Sequence, residues 1–332
     1  MEKVLTVSIA AYNVEQYIDE CLNCFMLPEV RDKVEVLIVD DGATDNTAEK
    51  ASVYENEYPG TFKVIRKQNG GWGSTLNSGI ALATGKYFKQ LDGDDFFKKE
   101  NLNAFLDALA KTDADMILTP HETFISDTKE VVGCSEPQRL CKIIKHGKFG
   151  IKNLKKNAHI QMHQCTFKTS MLQKNKVNIT EHAFYTDAEF VVKSLYYTKT
   201  VELFPMTVYC YRTMRDGQSM SDQGIRKHYK EHEKVIFNTL RFLDDLPRTN
   251  SYLYASERVR EMIKTHYYFF FCLEPSKEHR KELCNFDAKI RNKYPHYYEI
   301  NDKKVKIMRM TGFLSYNPFC WARILRRKIS QK

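Results

Sequence analysis

Short β-branched runs alternate with stretches of helical spacing over the first 120 residues. Residues 4–9 read as a buried strand, 14–25 carry apolar residues at helical spacing, and 34–39 form a second continuous β-branched run. A turn from Asp40 to Asp45 then opens a helix to about Tyr54, with Thr44 or Asp45 placed to cap it. Residues 62–65, 87–91 and 116–119 predict further strands, and 73–83 and 101–109 further helices. Such alternation implies right-handed βαβ units and an α/β fold with a mostly parallel sheet flanked by helices. Ligands of such sheets bind beyond the carboxyl ends of the strands, where Ala10 to Asn13, Asp40 to Gly42 and Asp92 to Asp95 all fall. After Gly224 the pattern changes to amphipathic helices at 225–243, 251–273 and 276–290, with Pro247 and Pro275 at the breaks. Five successive aromatics, Tyr267 to Phe271, exceed what one helix face needs, and core packing, a binding groove and a membrane-facing patch all stay open there.

With 332 residues and 42% hydrophobic content, the chain can bury one large domain and an appendage. No uncharged apolar run reaches the roughly 18 residues of a membrane span. Glu2 offsets Lys3 and polar NVEQ follows the first apolar run, so a buried strand is expected there rather than a signal peptide. Nine cysteines, an odd number at scattered spacing, fit reduced thiols in a cytoplasmic protein, and Cys21 and Cys24 read as packing residues. Lys and Arg total 51 against 42 Asp and Glu, but residues 303–332 hold nine Lys/Arg and no acid, leaving 42 of each sign elsewhere. The basic excess belongs to this tail, which argues against a nucleic-acid-binding body.

Three carboxylates, Asp92, Asp94 and Asp95, crowd around Gly93 at the end of the strand 87–91. Like charges repel, and hard oxygen ligands on a sharp turn suit Mn²⁺ or Mg²⁺ shared with substrate phosphates. The alternative is a solvated acidic turn. Gly70, Gly71 and Gly73 surround Trp72 in a loop whose backbone can approach a ligand, with Asn69 and Asn77 on either side. Trp72 reads equally as a stacking platform or as a lid over the core. Phosphate-loop and G-x-G-x-x-G fingerprints are absent, which counts against kinases and dehydrogenases.

The blocks VSIAAYNVEQYIDECL, VLIVDDGATDNT and NGGWGSTLNSGIALATGKYFKQLDGDD resemble the nucleotide-sugar half of a family 2 glycosyltransferase of the GT-A fold. EHAFYTDAEF and VYCYRTMRDGQSMS stand where that family has its acidic acceptor-side motif and its Tyr-x-Tyr/Ser-x-Ser segment. Two departures are Ala11, where the family has Pro, and Thr186, where it often has Glu. The resemblance implies an inverting transfer from a nucleoside-diphosphate sugar, a UDP-sugar first, to a glycan or lipid-linked acceptor in cell-surface polysaccharide synthesis. It assigns the metal to Asp94 with Asp92, and the catalytic base to Asp187, with Glu181 and Glu189 as fallbacks. Donor contacts fall to Ala11, Tyr12, Asn13, Asp40, Asp41, Gly71, Asn77, Asp92 and Gly93. Arg212 and Arg215 sit on the loop after the strand 207–211, where guanidiniums near a diphosphate would stabilise its charge. N-capping is the competing role for Asp40, Asp41 and Asp187. A catalytically silent module of the same fold, recruiting partners at a membrane, is the competing function.

These assignments divide the chain into a catalytic domain (1–222), a helical region (223–302) and a basic amphipathic tail (303–332). In the tail, a helix starting at Asn317-Pro318 puts Arg323, Arg326 and Arg327 on one arc and Trp321, Ala322, Leu325 and Ile329 on another. With Phe313, Leu314 and Phe319 as anchors, this predicts docking on an anionic surface at the inner face of the cytoplasmic membrane. A terminal helix packed on the body with a solvated basic face is the alternative.

Overall fold

The first three β-branched runs and the strand ahead of the acidic turn pair side by side: β1 (Leu5–Ala11), β2 (Val34–Asp40), β3 (Phe62–Arg66) and β4 (Tyr87–Asp92) run parallel in the order β3-β2-β1-β4. This is seen in a computed structural model that describes residues 3–330 apart from 144, 146 and 215–217, with side chains to Arg326. Helices α1 (Ile18–Asn23), α2 (Pro28–Arg31), α3 (Thr47–Glu57), α4 (Trp72–Leu82) and α5 (Lys99–Lys111) lie along the connections. The helix expected over 14–25 is shorter, because Asn13 takes a left-handed turn at φ 53° and the chain re-enters helix only at Ile18.

Beyond the acidic turn follow β5 (Phe96–Phe97), β6 (Met116–Leu118), β7 (His121–Ile125), β8 (Val131–Cys134), β9 (Phe149–Gly150), β10 (Cys165–Lys168), β11 (Thr200–Leu203) and β12 (Tyr209–Thr213). The large sheet continues from β4 through β10, β6, β11 and β9, and β10 enters antiparallel to both β4 and β6. A second sheet, β5-β12-β7-β8, stands beside it. The acidic turn joins β4 of the first sheet to β5 of the second, so it lies on the seam between them.

Helices α6 (Thr169–Lys174) and α7 (Asp187–Tyr197) complete the α/β part, and α8 (Asp222–Asp244), α9 (Asn250–Phe270), α10 (Lys277–Lys293), α11 (Lys303–Met310) and α12 (Tyr316–Ser330) follow. Side chains of Ser221, Thr249, Ser276 and Asp302 cap α8 to α11, each accepting from backbone N–H groups of the first turn. Of the aromatic run, Tyr267, Phe269, Phe270 and Phe271 are buried, in one core with Val192 of α7 and Val235 of α8, so core packing accounts for them. Phe313, Tyr316 and Cys320 reach the same core, and the Tyr316 hydroxyl donates to the Phe270 carbonyl. The tail therefore forms a layer of the helical half. Among the described residues no helix is long and apolar enough to cross a membrane.

Candidate active site

Parallel register puts Ala11 opposite Asp40 and Ala10 opposite Asp92, so the ends of β2, β1 and β4 open on one edge. Ala11 is fully buried, Tyr12 is half exposed, and Asn13 accepts from the Thr44 N–H at 2.8 Å. Asp40 accepts from the Ala43 N–H at 2.8 Å, which closes the turn after β2. Neither Asp40 nor Asp41 caps α3, which begins after Asn46 without a side-chain cap.

Asp41 departs from the expected donor contact. It is buried, and its carboxylate accepts from the N–H groups of Gly70 and Gly71 at 2.9 and 2.8 Å and from Lys67 Nζ at 2.7 Å. A carboxylate with its lone pairs so occupied shapes the glycine loop from beneath. Asn77 likewise turns inward, bonding both the N–H and the carbonyl of Ile179 at 2.8 and 2.9 Å. In the loop itself Gly71 has φ +80°, and a Cβ on Gly73 would lie 2.2 Å from the Thr180 carbonyl oxygen. The loop thus packs directly on the segment leading to α7, and the His182 N–H donates to the Gly70 carbonyl.

The three aspartates of the turn have different fates. Trp72 Nε1 donates to Asp92 Oδ1 at 2.6 Å, so Trp72 is neither a bare lid nor a loose platform. Asp95 is fully buried and accepts from the Tyr209 hydroxyl at 2.7 Å and from the Arg212 N–H at 2.7 Å. Burial, and then its aspartate neighbours, push its carboxyl well above the usual range. Asp94 and Asp92 are left partly open at the rim. Arg212, expected on a phosphate, is buried instead: its Nε donates to the Asp94 carbonyl at 2.6 Å, its Nη2 meets Glu20, and its guanidinium lies against the rings of Tyr17 and Phe124. A guanidinium bonded on both edges braces the turn from behind and has no fork left for a ligand. Arg215 lies outside the described residues.

His163, just before β10, brings one ligand atom within 4.8 Å of those of Asp92 and Asp95. Its Nδ1 is shut off from solvent without a hydrogen-bond partner. Burial, with His121 and Lys89 nearby, lowers it to about 3, so the ring stays neutral and can ligate. Lys89, buried under the turn, donates to the carbonyls of His163 and Cys165 at 2.9 Å each, and burial brings its ammonium down to about 7. The ligand atoms that converge are those of Asp92, Asp95 and His163, carboxylate oxygens with a neutral imidazole, a donor set that fits a divalent cation. Each Asp95 oxygen already accepts one hydrogen bond, and Asp94, which the family resemblance assigns to the metal, is not among the converging groups.

Asp187 is the first residue of α7, and Thr186 takes the N-cap place. Burial raises its carboxyl above the usual aspartate value, against the pull of Arg258. The fallback Glu189 is spent: fully buried, it accepts from the Thr180 N–H and hydroxyl and pairs with Lys193. Glu181 is exposed and accepts from Asn77. Burial raises the Tyr211 phenol, and the charges of Asp95, Asp92, Asp94 and Asp187 act in the same direction. His163 and Tyr211 pack ring to ring with centroids 4.6 Å apart. Neither was singled out from the sequence. Tyr211 stood inside the quoted Tyr-x-Tyr segment, whereas His163 has no motif around it.

Residues 6–175 match the family model described as glycosyl transferase family 2. An uncharacterized glycosyltransferase of Mycoplasma pneumoniae is 39% identical over 126 residues, 37% of this chain and 41% of that protein, so the chain spans less than half of that relative's length. Among solved structures, S. aureus TarS 1–349 in complex with UDP-GlcNAc superposes with a TM-score of 0.65 at 21% identity, over 87% of this chain and 81% of that one. A mannosyltransferase from Pyrobaculum calidifontis in complex with GDP-Man and Mn²⁺ gives 0.53 at 15% identity, over 98% and 88%. At these identities the likeness is one of fold, the GT-A arrangement of a large, mostly parallel sheet with a helical C-terminal region.

Proposed function

Because the chain belongs to glycosyl transferase family 2, we propose that it moves a sugar, with inversion, from a UDP-sugar to a hydroxyl of a glycan or lipid-linked acceptor in cell-surface polysaccharide synthesis. The observation that supports this reading is the acidic turn at the carboxyl end of β4, where ligand atoms of Asp92, Asp95 and His163 lie within 4.8 Å of one another beside the ends of β1 and β2. That turn offers a place for the diphosphate and its counter-ion, and Asp187, at the start of α7, a base for the acceptor.

In this reading the nucleoside sits over the ends of β1 and β2, near Tyr12, Asn13 and Asp40, and the glycine loop closes beside it. Asp92 and His163, with Asp94 two residues further along the turn, would hold Mn²⁺ or Mg²⁺. Such an ion supplies Lewis-acid stabilisation of the leaving diphosphate, worth several kcal/mol. Asp187 takes the proton of the acceptor hydroxyl while its oxygen bonds to the anomeric carbon. The bond from that carbon to the diphosphate oxygen breaks, and its electron pair leaves with the nucleoside diphosphate. The raised carboxyl of Asp187 makes it a stronger base than an exposed aspartate.

The exposed side chains of Met310, Leu314, Trp321 and Leu325 support docking of the tail on an anionic membrane, where a lipid-linked acceptor would lie. Arg323 takes less part than its sequence position implied, because it pairs with Asp222 of α8 at 3.1 Å.

A thermal-shift screen of UDP- and GDP-sugars with Mn²⁺, followed by assay of sugar transfer or hydrolysis, tests the proposal. The expected result is UDP-sugar stabilisation that depends on the ion and disappears in Asp94→Ala, while the ion-free melting temperature of the variant is unchanged. Ion-dependent stabilisation that survives in Asp94→Ala would overturn the metal assignment. Absence of any response to nucleotide sugars would overturn the reading itself.

A further inference from the structure

Just ahead of α7, two residues other than glycine take left-handed backbone, His182 at φ 51° and Tyr185 at φ 66°. Such conformations are unfavourable for side chains of this size and persist only where the surroundings impose them. His182 is pinned by the bond from its N–H to the Gly70 carbonyl, and Tyr185 by its hydroxyl, which donates to the Ser219 carbonyl at 2.8 Å. Between them the chain turns Phe184 outward, 44% exposed. Phe184 is nevertheless held in place. Its N–H donates to Glu231 Oε2 at 2.9 Å, and Glu231 Oε1 lies 2.7 Å from His228 Nδ1. The imidazole lies against the Phe184 ring, with centroids 3.6 Å and planes 24° apart. One carboxylate of α8 thus fixes both the backbone of Phe184 and the ring that backs it.

With one face on His228, the phenyl ring has its exposure on the other. A large apolar ring fixed in water is unfavourable and is stabilised when a matching surface covers it. The face of an aromatic ring is negative and attracts polarised C–H groups, which line the flat sides of a pyranose. We propose that Phe184, backed by His228, is the platform on which a pyranose ring of the acceptor stacks. This rests on the proposed function and on Asp187 as its base. Phe184 stands three residues before Asp187, so at most roughly 11 Å of extended chain separates them, within the span of a disaccharide. The same segment borders the glycine loop, because a Cβ on Gly71 would lie 3.5 Å from the backbone nitrogens of both His182 and Ala183. Glu181 and His182, both exposed, precede the platform and offer polar partners to the ring hydroxyls. The nucleoside has an exposed ring of its own in Tyr12, at the end of β1, so Phe184 on the α8 side falls to the acceptor.

The probes are methyl β-glucopyranoside and methyl N-acetyl-β-glucosaminide, with open-chain glucitol as the control that has hydroxyls but no ring face. Binding is read by saturation-transfer NMR on the full chain without donor, and UDP with Mn²⁺ is titrated separately by thermal shift. Wild type should saturate the ring C–H protons of at least one glycoside and not those of glucitol. In Phe184→Ala the apparent affinity should fall about tenfold, the effect of removing one stacking ring. Phe184→Leu, apolar but without an aromatic face, should lose affinity likewise, whereas Phe184→Trp should keep it. The UDP response should stay intact in all three, and melting temperatures without ligand check that they fold. No preference for a glycoside over glucitol in wild type, or unchanged affinity in Phe184→Ala, overturns the proposal. Joint loss of the glycoside and UDP responses also overturns it, because that assigns the ring to the donor. If wild type gives no UDP response, the reading of the donor site fails by itself, and the glycoside arm, which needs neither donor nor turnover, still decides on Phe184.

Discussion

Trp72 Nε1 donates to Asp92 Oδ1 at 2.6 Å, which ties the first residue of α4 to the last residue of β4. The glycine loop and the acidic turn are thereby one unit: an indole N–H fixes the rotamer of a carboxylate that would otherwise swing in the field of its neighbours. Trp72→Phe keeps most of the ring but removes this charge-assisted bond, worth about 1.5–3 kcal/mol. We expect UDP-sugar affinity in Mn²⁺ to fall roughly tenfold in calorimetric titration, with little change in the ion-free melting temperature. Unaltered affinity would mean that the bond plays no part in presenting Asp92.

Asp187→Asn should leave donor affinity nearly untouched and lower turnover by about 10²-fold or more, as lost general-base catalysis requires. The wild-type pH profile gives a second check. Burial raises the Asp187 carboxyl above 3.8, so the active, ionised form is lost as pH falls through a value higher than that of an ordinary aspartate. The acid limb of kcat/KM should lie correspondingly high. In Arg258→Gln, where the opposing cation is gone, the limb should move higher still. A limb that moves down, or stays put, would separate Arg258 from the base.

Gly73→Ala tests the packing of the loop on the segment before α7. Its added Cβ would lie 2.2 Å from the Thr180 carbonyl oxygen and 3.1 Å from Ile179 Cγ2. Neither backbone can yield without disturbing the Glu189 bonds to Thr180, so we expect a loss of about 1–3 kcal/mol in urea unfolding. Wild-type stability in the variant would show that these two segments are not rigidly seated.

Removing residues 313–332 is a poor test of membrane docking, because Phe313, Tyr316 and Cys320 belong to the helical core. Trp321→Ala with Leu325→Ser is the better one, since both side chains are more than half exposed. The double variant should keep its melting temperature and lose most of its co-flotation with anionic vesicles. Added salt should weaken wild-type binding, while neutral vesicles should bind little. Wild-type flotation that ignores vesicle charge would rule out electrostatic docking.

Much of the α/β half is legible in the sequence because β1, β2 and β4 are buried on both faces and carry mainly apolar residues, with only Thr6, Ser8, Glu35, Lys89 and Gln90 interrupting them before their ends. β10 is not: four residues, Cys165 to Lys168, carry too little periodicity to separate a strand from a loop, and their antiparallel entry between β4 and β6 has no local signal. At the site, spacing pointed to the strand ends where Asp40 and Asp92 stand and to the helix start at Asp187, but not to which side chains face inward. Arg212 and Asp41 looked like ligand groups because charge predicts exposure. Their burial depends on partners far along the chain, Glu20 and Asp94 for the one, Gly70 and Gly71 for the other. His163 was missed for the same reason, since only the fold brings it near carboxylates.

The position of the acidic turn on the seam of two sheets bears on the order in which the molecule assembles. Asp95 finds its partners Tyr209 and Arg212 more than a hundred residues downstream. Contacts of such long range form late, because loop-closure entropy opposes them until both sheets exist. A chain still folding therefore holds three unbraced aspartates with no defined cavity among them. Tight ion capture has to wait for the last docking step, so the appearance of ion-dependent nucleotide binding during refolding would time the completion of the native state rather than the formation of its first sheet.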